Sequence, residues 1–217
     1  MPHQKMIATM NNRAVLALCQ GHCMEAITLL RSTLECIQNL LDSIAWEKIS
    51  CEVSLPLRSP IAFVENVDLN AVSPNNKFDV YTSAFFLPDI TDDCITIEAV
   101  VITLYNLGLT HHLLGLRNNK TEHLQAALRY YKRALAAHAS RSSNEYCQLS
   151  VVLGCITNMG HLYSHFSRIQ EIESCCNMLE TFLQSQQAST ISEEDLDFFF
   201  SGMVFCQTFS CRMAAAA

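Results

Sequence analysis

The chain is poor in the residues that most folds use as punctuation. Its 217 residues include only 6 glycines, 5 prolines and one tryptophan. So few glycines leave little material for loops that cradle phosphates, and no nucleotide-binding glycine pattern occurs. Charge is sparse as well: 16% of residues are charged, with a net charge of −7. No Lys/Arg cluster is dense enough for a nucleic-acid or anionic-lipid patch, so neither is expected as a partner. There is no G-x-S-x-G elbow, no paired-carboxylate pattern and no C-x-x-C, so the chain is not expected to be an enzyme.

A secretory signal is missing too. Met1-Pro2-His3-Gln4-Lys5 leads into an apolar stretch that Asn11-Asn12-Arg13 interrupts early. Eleven cysteines, an odd number, then suggest free thiols in a reducing, intracellular compartment. Two long uncharged runs, Ala99–Leu116 and Tyr146–Ser167, carry Asn106, His111, His112, Asn158, His161 and His165. That polarity suits helices packed by protein on several sides, not a membrane span.

What the chain does have is helical periodicity. Ile97, Val100, Val101, Leu104, Leu107 and Leu114 recur at three- and four-residue spacing, and Leu124, Ala127, Leu128, Tyr131, Ala134 and Leu135 do the same. Two such helices joined at Arg117–Lys120 make an αα-hairpin over residues 93–138. Residues 5–41 repeat the arrangement around Gly21, which suits a left-handed helix end. Residues 146–184 give a third pair.

Between the first two pairs, residues 42–92 read as a small antiparallel β insertion. Ile49, Cys51, Val53, Leu55 and Leu57 alternate with other residues, a period of two. Ile61–Leu69 is weaker, and Phe78–Leu87 is rich in aromatic and β-branched residues. Thr91-Asp92-Asp93 is placed to cap the central hairpin. Ser192-Glu193-Glu194-Asp195 looks like a capping box opening a short C-terminal element, residues 191–213, whose part from Gly202 to Cys211 reads as helix or strand. The expected fold is mainly α, a single domain over 1–217.

Three asparagines register the pairs: Asn12, Asn106 and Asn158. Each is followed two positions later by a small residue, Ala14, Gly108 or Gly160. From Asn12 to Ala26, and from Asn158 to Ile172, is 14 residues; from Asn106 to Ala127 is 21. The seven extra residues are expected in the polar turn around Asn118–Lys120. Tyr105-Asn106-Leu107-Gly108, His111, Ala127, Tyr131 and Ala134-Leu135 resemble the tetratricopeptide repeats, as do Asn158-Met159-Gly160 with Tyr163, and Gly21 with Glu25-Ala26-Ile27 and Leu34. The asparagines would either bond within the stack or clamp a peptide backbone.

The resemblance implies an array of three helical hairpins that binds a protein or peptide along its first helices. Carried over, the binding residues would be Asn11, Val15, Leu18, Tyr105, Asn106, Leu109, His112, Thr157, Asn158, His161 and His165, with Ala8, Ile102, Gly154 and Ser164 beside them. The Lys and Arg with which one subset of the family clamps chaperone tails are missing: Asn11, Val15, Asn106, Gly154 and Asn158 stand there instead. A neutral, His-bearing groove suits an apolar or extended peptide. His161 and His165, with Cys19 and Cys23, lack zinc-site spacing, so no metal or cofactor is expected. The rival readings are self-association through exposed strands or Phe198–Phe200, and a thiol- or metal-dependent enzyme.

Overall fold

A computed structural model describes residues 2–47, 79–88, 97–140, 149–185 and 191–215. The chain is mainly α. Its described helices are α1 (Pro2–Cys19), α2 (Cys23–Glu47), α3 (Ile97–Asn118), α4 (Thr121–Ala139), α5 (Leu149–His165), α6 (Ile169–Leu183) and α7 (Glu193–Ala215). They fall into two compact units, Met1–Val67 with Ser83–Tyr146, and Asp68–Thr82 with Cys147–Ala217.

In the first unit, hairpins α1/α2 and α3/α4 stack through α2 on α3, and α1 also reaches α3. The burial pattern follows the sequence. In α2, Ala26, Ile27, Leu30, Thr33 and Ile37 form one buried stripe. In α3, every residue from Val101 to Gly115 is buried. This is the one described helix long and apolar enough to cross a membrane, and the protein itself covers most of it. In the second unit, α5 and α6 pair, and α7 packs on both. The buried stripe of α6 is Ile172, Cys175, Cys176, Leu179 and Leu183.

The three hairpin turns are one structure written in three ways. Each helix ends with a residue at positive φ: Gly21 (77°), Asn119 (49°) and Ser167 (54°). The next N–H reaches back to the same place each time: His22 to Ala17 O at 2.8 Å, Lys120 to Gly115 O at 2.9 Å, Arg168 to Tyr163 O at 2.9 Å. The N–H of the positive-φ residue itself bonds Leu18 O, Leu116 O or Ser164 O, which completes a Schellman motif.

This corrects the expected location of the seven extra residues. They are not in the turn. Asn12 and Asn158 stand nine residues before their positive-φ residue, whereas Asn106 stands thirteen before Asn119. On the return, Gly21 to Ala26 and Ser167 to Ile172 are five residues, against eight from Asn119 to Ala127. Four plus three makes the seven. Between its register residue and the turn, each arm of the middle pair is therefore about one turn longer, and at 3.6 residues per turn the same faces still meet.

The expected β insertion is not supported. Ile49–Leu57 and Ile61–Leu69 lie outside the described residues, as does Thr91-Asp92-Asp93. Asp79–Pro88 is extended, but there is no strand among the described residues, only an isolated bridge at Phe85. The alternative of a strand at Gly202–Cys211 is also overturned: those residues continue α7, a helix of 23 residues and not a short element. Its start is as expected, with Ser192 Oγ accepting the Asp195 N–H at 3.2 Å.

Gly108 marks one of two close side-chain approaches in the α3/α4 pair, the other being Gly115 against Leu124. A Cβ on Gly108 would stand 2.8 Å from two ring carbons of Tyr131, which is wholly buried and cannot swing away. Gly108→Ala should cost about 1–3 kcal/mol in denaturant unfolding. In a Tyr131→Leu background, with the ring gone, the same change should cost much less.

Candidate functional site

An extended chain has a problem when one of its edges is buried with no strand among the described residues to pair it. Residues of one parity point both N–H and C=O to the same edge, and each unpaired group costs about 1–3 kcal/mol. In the first unit, α1 and α3 supply side chains for that edge. Phe85 N–H donates to Asn106 Oδ1 at 3.0 Å, and Asn106 Nδ2 donates to Phe85 O at 2.8 Å. Leu87 N–H donates to Asn12 Oδ1 at 2.7 Å, and Asn12 Nδ2 donates to Leu87 O at 2.8 Å. The Tyr105 hydroxyl donates to Ser83 O at 3.0 Å. Each asparagine amide thus offers the donor and acceptor that a neighbouring strand residue would have offered.

Asn11 links the two clamps. Its Nδ2 donates to Phe85 O at 3.1 Å and to Asn12 Oδ1 at 3.2 Å, and its Oδ1 accepts from Asn106 Nδ2 at 3.2 Å. The network fixes the orientation of all three amides, because a flip would set donor against donor. Asn11 and Asn106 are fully buried and Asn12 is half-buried.

Side chains then add an apolar contact. Phe85 is wholly buried and meets the edge of Tyr105, with ring centroids 5.2 Å apart. Tyr105 leans on Tyr131 at 5.9 Å, and His112 Nδ1 lies 3.3 Å from the Tyr131 hydroxyl. The glycine at 108 therefore seats the ring that supports the site.

The second unit repeats the clamp. Tyr81 N–H donates to Asn158 Oδ1 at 2.8 Å, and Asn158 Nδ2 donates to Tyr81 O at 3.0 Å. From α7, Asp195 accepts the Tyr81 hydroxyl at 2.9 Å, and Phe198 and Phe199 pack on its ring at 5.3 and 4.7 Å. Two of the three phenylalanines expected to form an exposed patch are thus engaged, with Phe200 left 44% exposed.

Of the residues expected to line a groove, Asn11, Tyr105 and Asn106 come together on the extended segment, and Asn158 does so in its own unit. Val15, Leu18 and Leu109 are buried apolar residues with no polar part in the clamp. His112 serves Tyr131. Thr157 is fully buried, and its hydroxyl has no hydrogen-bond partner among the described residues. His161 is half-buried and His165 exposed. Among the described residues no three His, Cys, Asp or Glu groups gather as a metal site.

Asn12 joins the clamp although it stands outside the expected binding set; its alignment with Asn106 and Asn158 is the signal for it. Asp195 is outside that set too, and Tyr81, Ser83, Phe85 and Leu87 are held by side chains and not by the expected sheet. No protein-family model, curated protein or solved structure matches the chain.

A second polar cluster sits further along α3. His111 Nδ1 and His123 Nδ1 are 2.9 Å apart, so one carries the proton and the other accepts it. Tyr130 stacks on His111 at 5.5 Å. Burial first, then the charges of His123, Arg31 and Arg129, pull the His111 pKa from 6.5 down to about 4.

Two outcomes follow. Asn106→Leu keeps the branched shape, with a somewhat larger side chain, but strands the Phe85 N–H, and should lower unfolding free energy by about 2–4 kcal/mol. The His111 shift gives a pH signature. Above pH 6.5 the ring is neutral in both states and costs nothing. Between 6.5 and about 4 the unfolded chain takes up a proton that folded His111 refuses, so stability falls with pH and levels off below. His111→Gln should remove about 1–3 kcal/mol of that fall in chemical denaturation across the window.

Proposed function

We propose that this chain is a non-catalytic interaction module, an irregular array of three tetratricopeptide-like hairpins that binds an extended peptide segment of a protein partner. One observation carries the reading. Asn12 and Asn106, at matching places in successive first helices, each hold both main-chain groups of an extended residue. The same two-way hold recurs at Asn158. The common Schellman turn and the nine-residue spacing from Asn12 and Asn158 support a shared repeat unit.

Main-chain recognition of this kind is blind to sequence. It accepts any extended chain whose residues fall on the two amides, and side-chain pockets then select among them. The absence of Lys or Arg at these places argues for a neutral, apolar segment and against a carboxylate-tail ligand. No disulfide joins the described cysteines, which suits the intracellular setting that we also propose.

Cross-linking of the full chain to partners, followed by mass mapping, tests the reading. Cross-links should fall on α1 and α3 around Asn11, Asn12, Tyr105 and Asn106. Asn12→Ala, chosen because Asn12 is half-buried, should cut capture about tenfold or more, the equivalent of roughly 1.4 kcal/mol. Cross-links confined to the outer faces of α2 and α4 would sink it.

A further inference from the structure

The groove of the first unit already holds a peptide, and that peptide belongs to the same chain. We infer that Ser83–Pro88 is a resident self-ligand, a stand-in for a partner segment of like chemistry: an extended chain with an aromatic residue at the Asn106 clamp and a branched aliphatic residue two positions on, at the Asn12 clamp. This rests on the peptide-binding reading above and adds what the partner looks like and what it must displace.

Three observations carry it. First, side chains of α1 and α3 hold the Ser83, Phe85 and Leu87 backbone, so an incoming chain can make each of those bonds in turn. Second, α1 packs directly on α2, α2 on α3 and α3 on α4, and the segment bridges α1 and α3. Asparagine amides left bare by its departure can bond water. Third, the two clamped positions carry buried side chains, and Ala84 is buried beside them. Phe85 is fully buried against Tyr105, and Leu87 is 3% exposed. Phe86 between them is only half-buried, so the middle position is permissive.

Exchange concerns Ser83–Pro88 alone, since Tyr81 keeps its two bonds to Asn158. On the C-terminal side eight residues separate Pro88 from Ile97, a contour of roughly 28 Å at up to about 3.5 Å per residue. A tethered occupant also competes at an effective concentration in the millimolar range, so an external peptide of equal intrinsic affinity is held off.

The probe is a fluorescent synthetic peptide of residues 82–88, Thr-Ser-Ala-Phe-Phe-Leu-Pro, titrated into the full chain by anisotropy. The receptor variant is Phe85→Ala with Leu87→Ala, which weakens the resident segment but leaves α1 and α3 intact. The variant should bind the peptide at least tenfold more tightly than the unaltered chain. A peptide with alanine at both anchor positions should not bind. Hydrogen exchange on the unaltered chain supplies a second measurement: the Phe85 and Leu87 amides should exchange faster than the core amides of α3, by local opening.

If those amides exchange only with global unfolding, or the variant does not fold, the segment is a fixed part of the core and the self-ligand is overturned. If unaltered chain and variant bind the peptide equally on α1 and α3, the groove is a receptor but the resident segment does not mask it. If the variant folds and the peptide protects neither α1 nor α3, the peptide-binding reading falls as well.

Discussion

Everything described of this molecule turns on how helix side chains satisfy one edge of an extended, buried backbone segment, Ser83–Leu87. A strand edge presents donors and acceptors in fixed alternation, and leaving them bare inside a protein costs more than most packing gains. A sheet would answer with another strand. This chain answers with asparagine, the side chain that carries one amide of the backbone's own chemistry. Asn12, Asn106 and Asn158 each return an N–H and a C=O to a single residue. The helices are then free to bury their apolar stripes on one another.

That solution depends on the helical scaffold being repeated with care. The asparagines present themselves alike only because each hairpin turns in the same way, through a Schellman motif with a left-handed residue at its apex. The apex need not be glycine: Asn119 and Ser167 occupy it at a modest cost in backbone strain. The middle hairpin shows how length varies without loss of register. Adding about one turn to each arm moves the apex outward and leaves Gly108 facing Tyr131, so the ring still supports Tyr105 and, through it, Phe85.

Much of this was legible in the order of residues. The six hairpin helices follow from three- and four-residue periodicity, and the Ser192 cap from its neighbours. The equivalence of Asn12, Asn106 and Asn158 could be found by alignment of the chain with itself. Other features were not legible. β-Branched and aromatic residues say that Asp79–Pro88 is extended, yet an edge that pairs with a strand and one that pairs with side-chain amides have the same composition. Gly202–Cys211 was ambiguous for a related reason, since short apolar runs fit both periods.

The sequence by itself determined where helices form, where they stop, and which positions carry an amide on a repeated face. These are local matters, decided within a few residues by spacing, capping and turn chemistry. Only the tertiary structure decided what those amides hold. The partners of Asn12, Asn106 and Asn158 lie 75, 21 and 77 residues away. No local rule reaches that far. The pairing is fixed by which buried groups would otherwise go without a hydrogen bond once the helices have stacked.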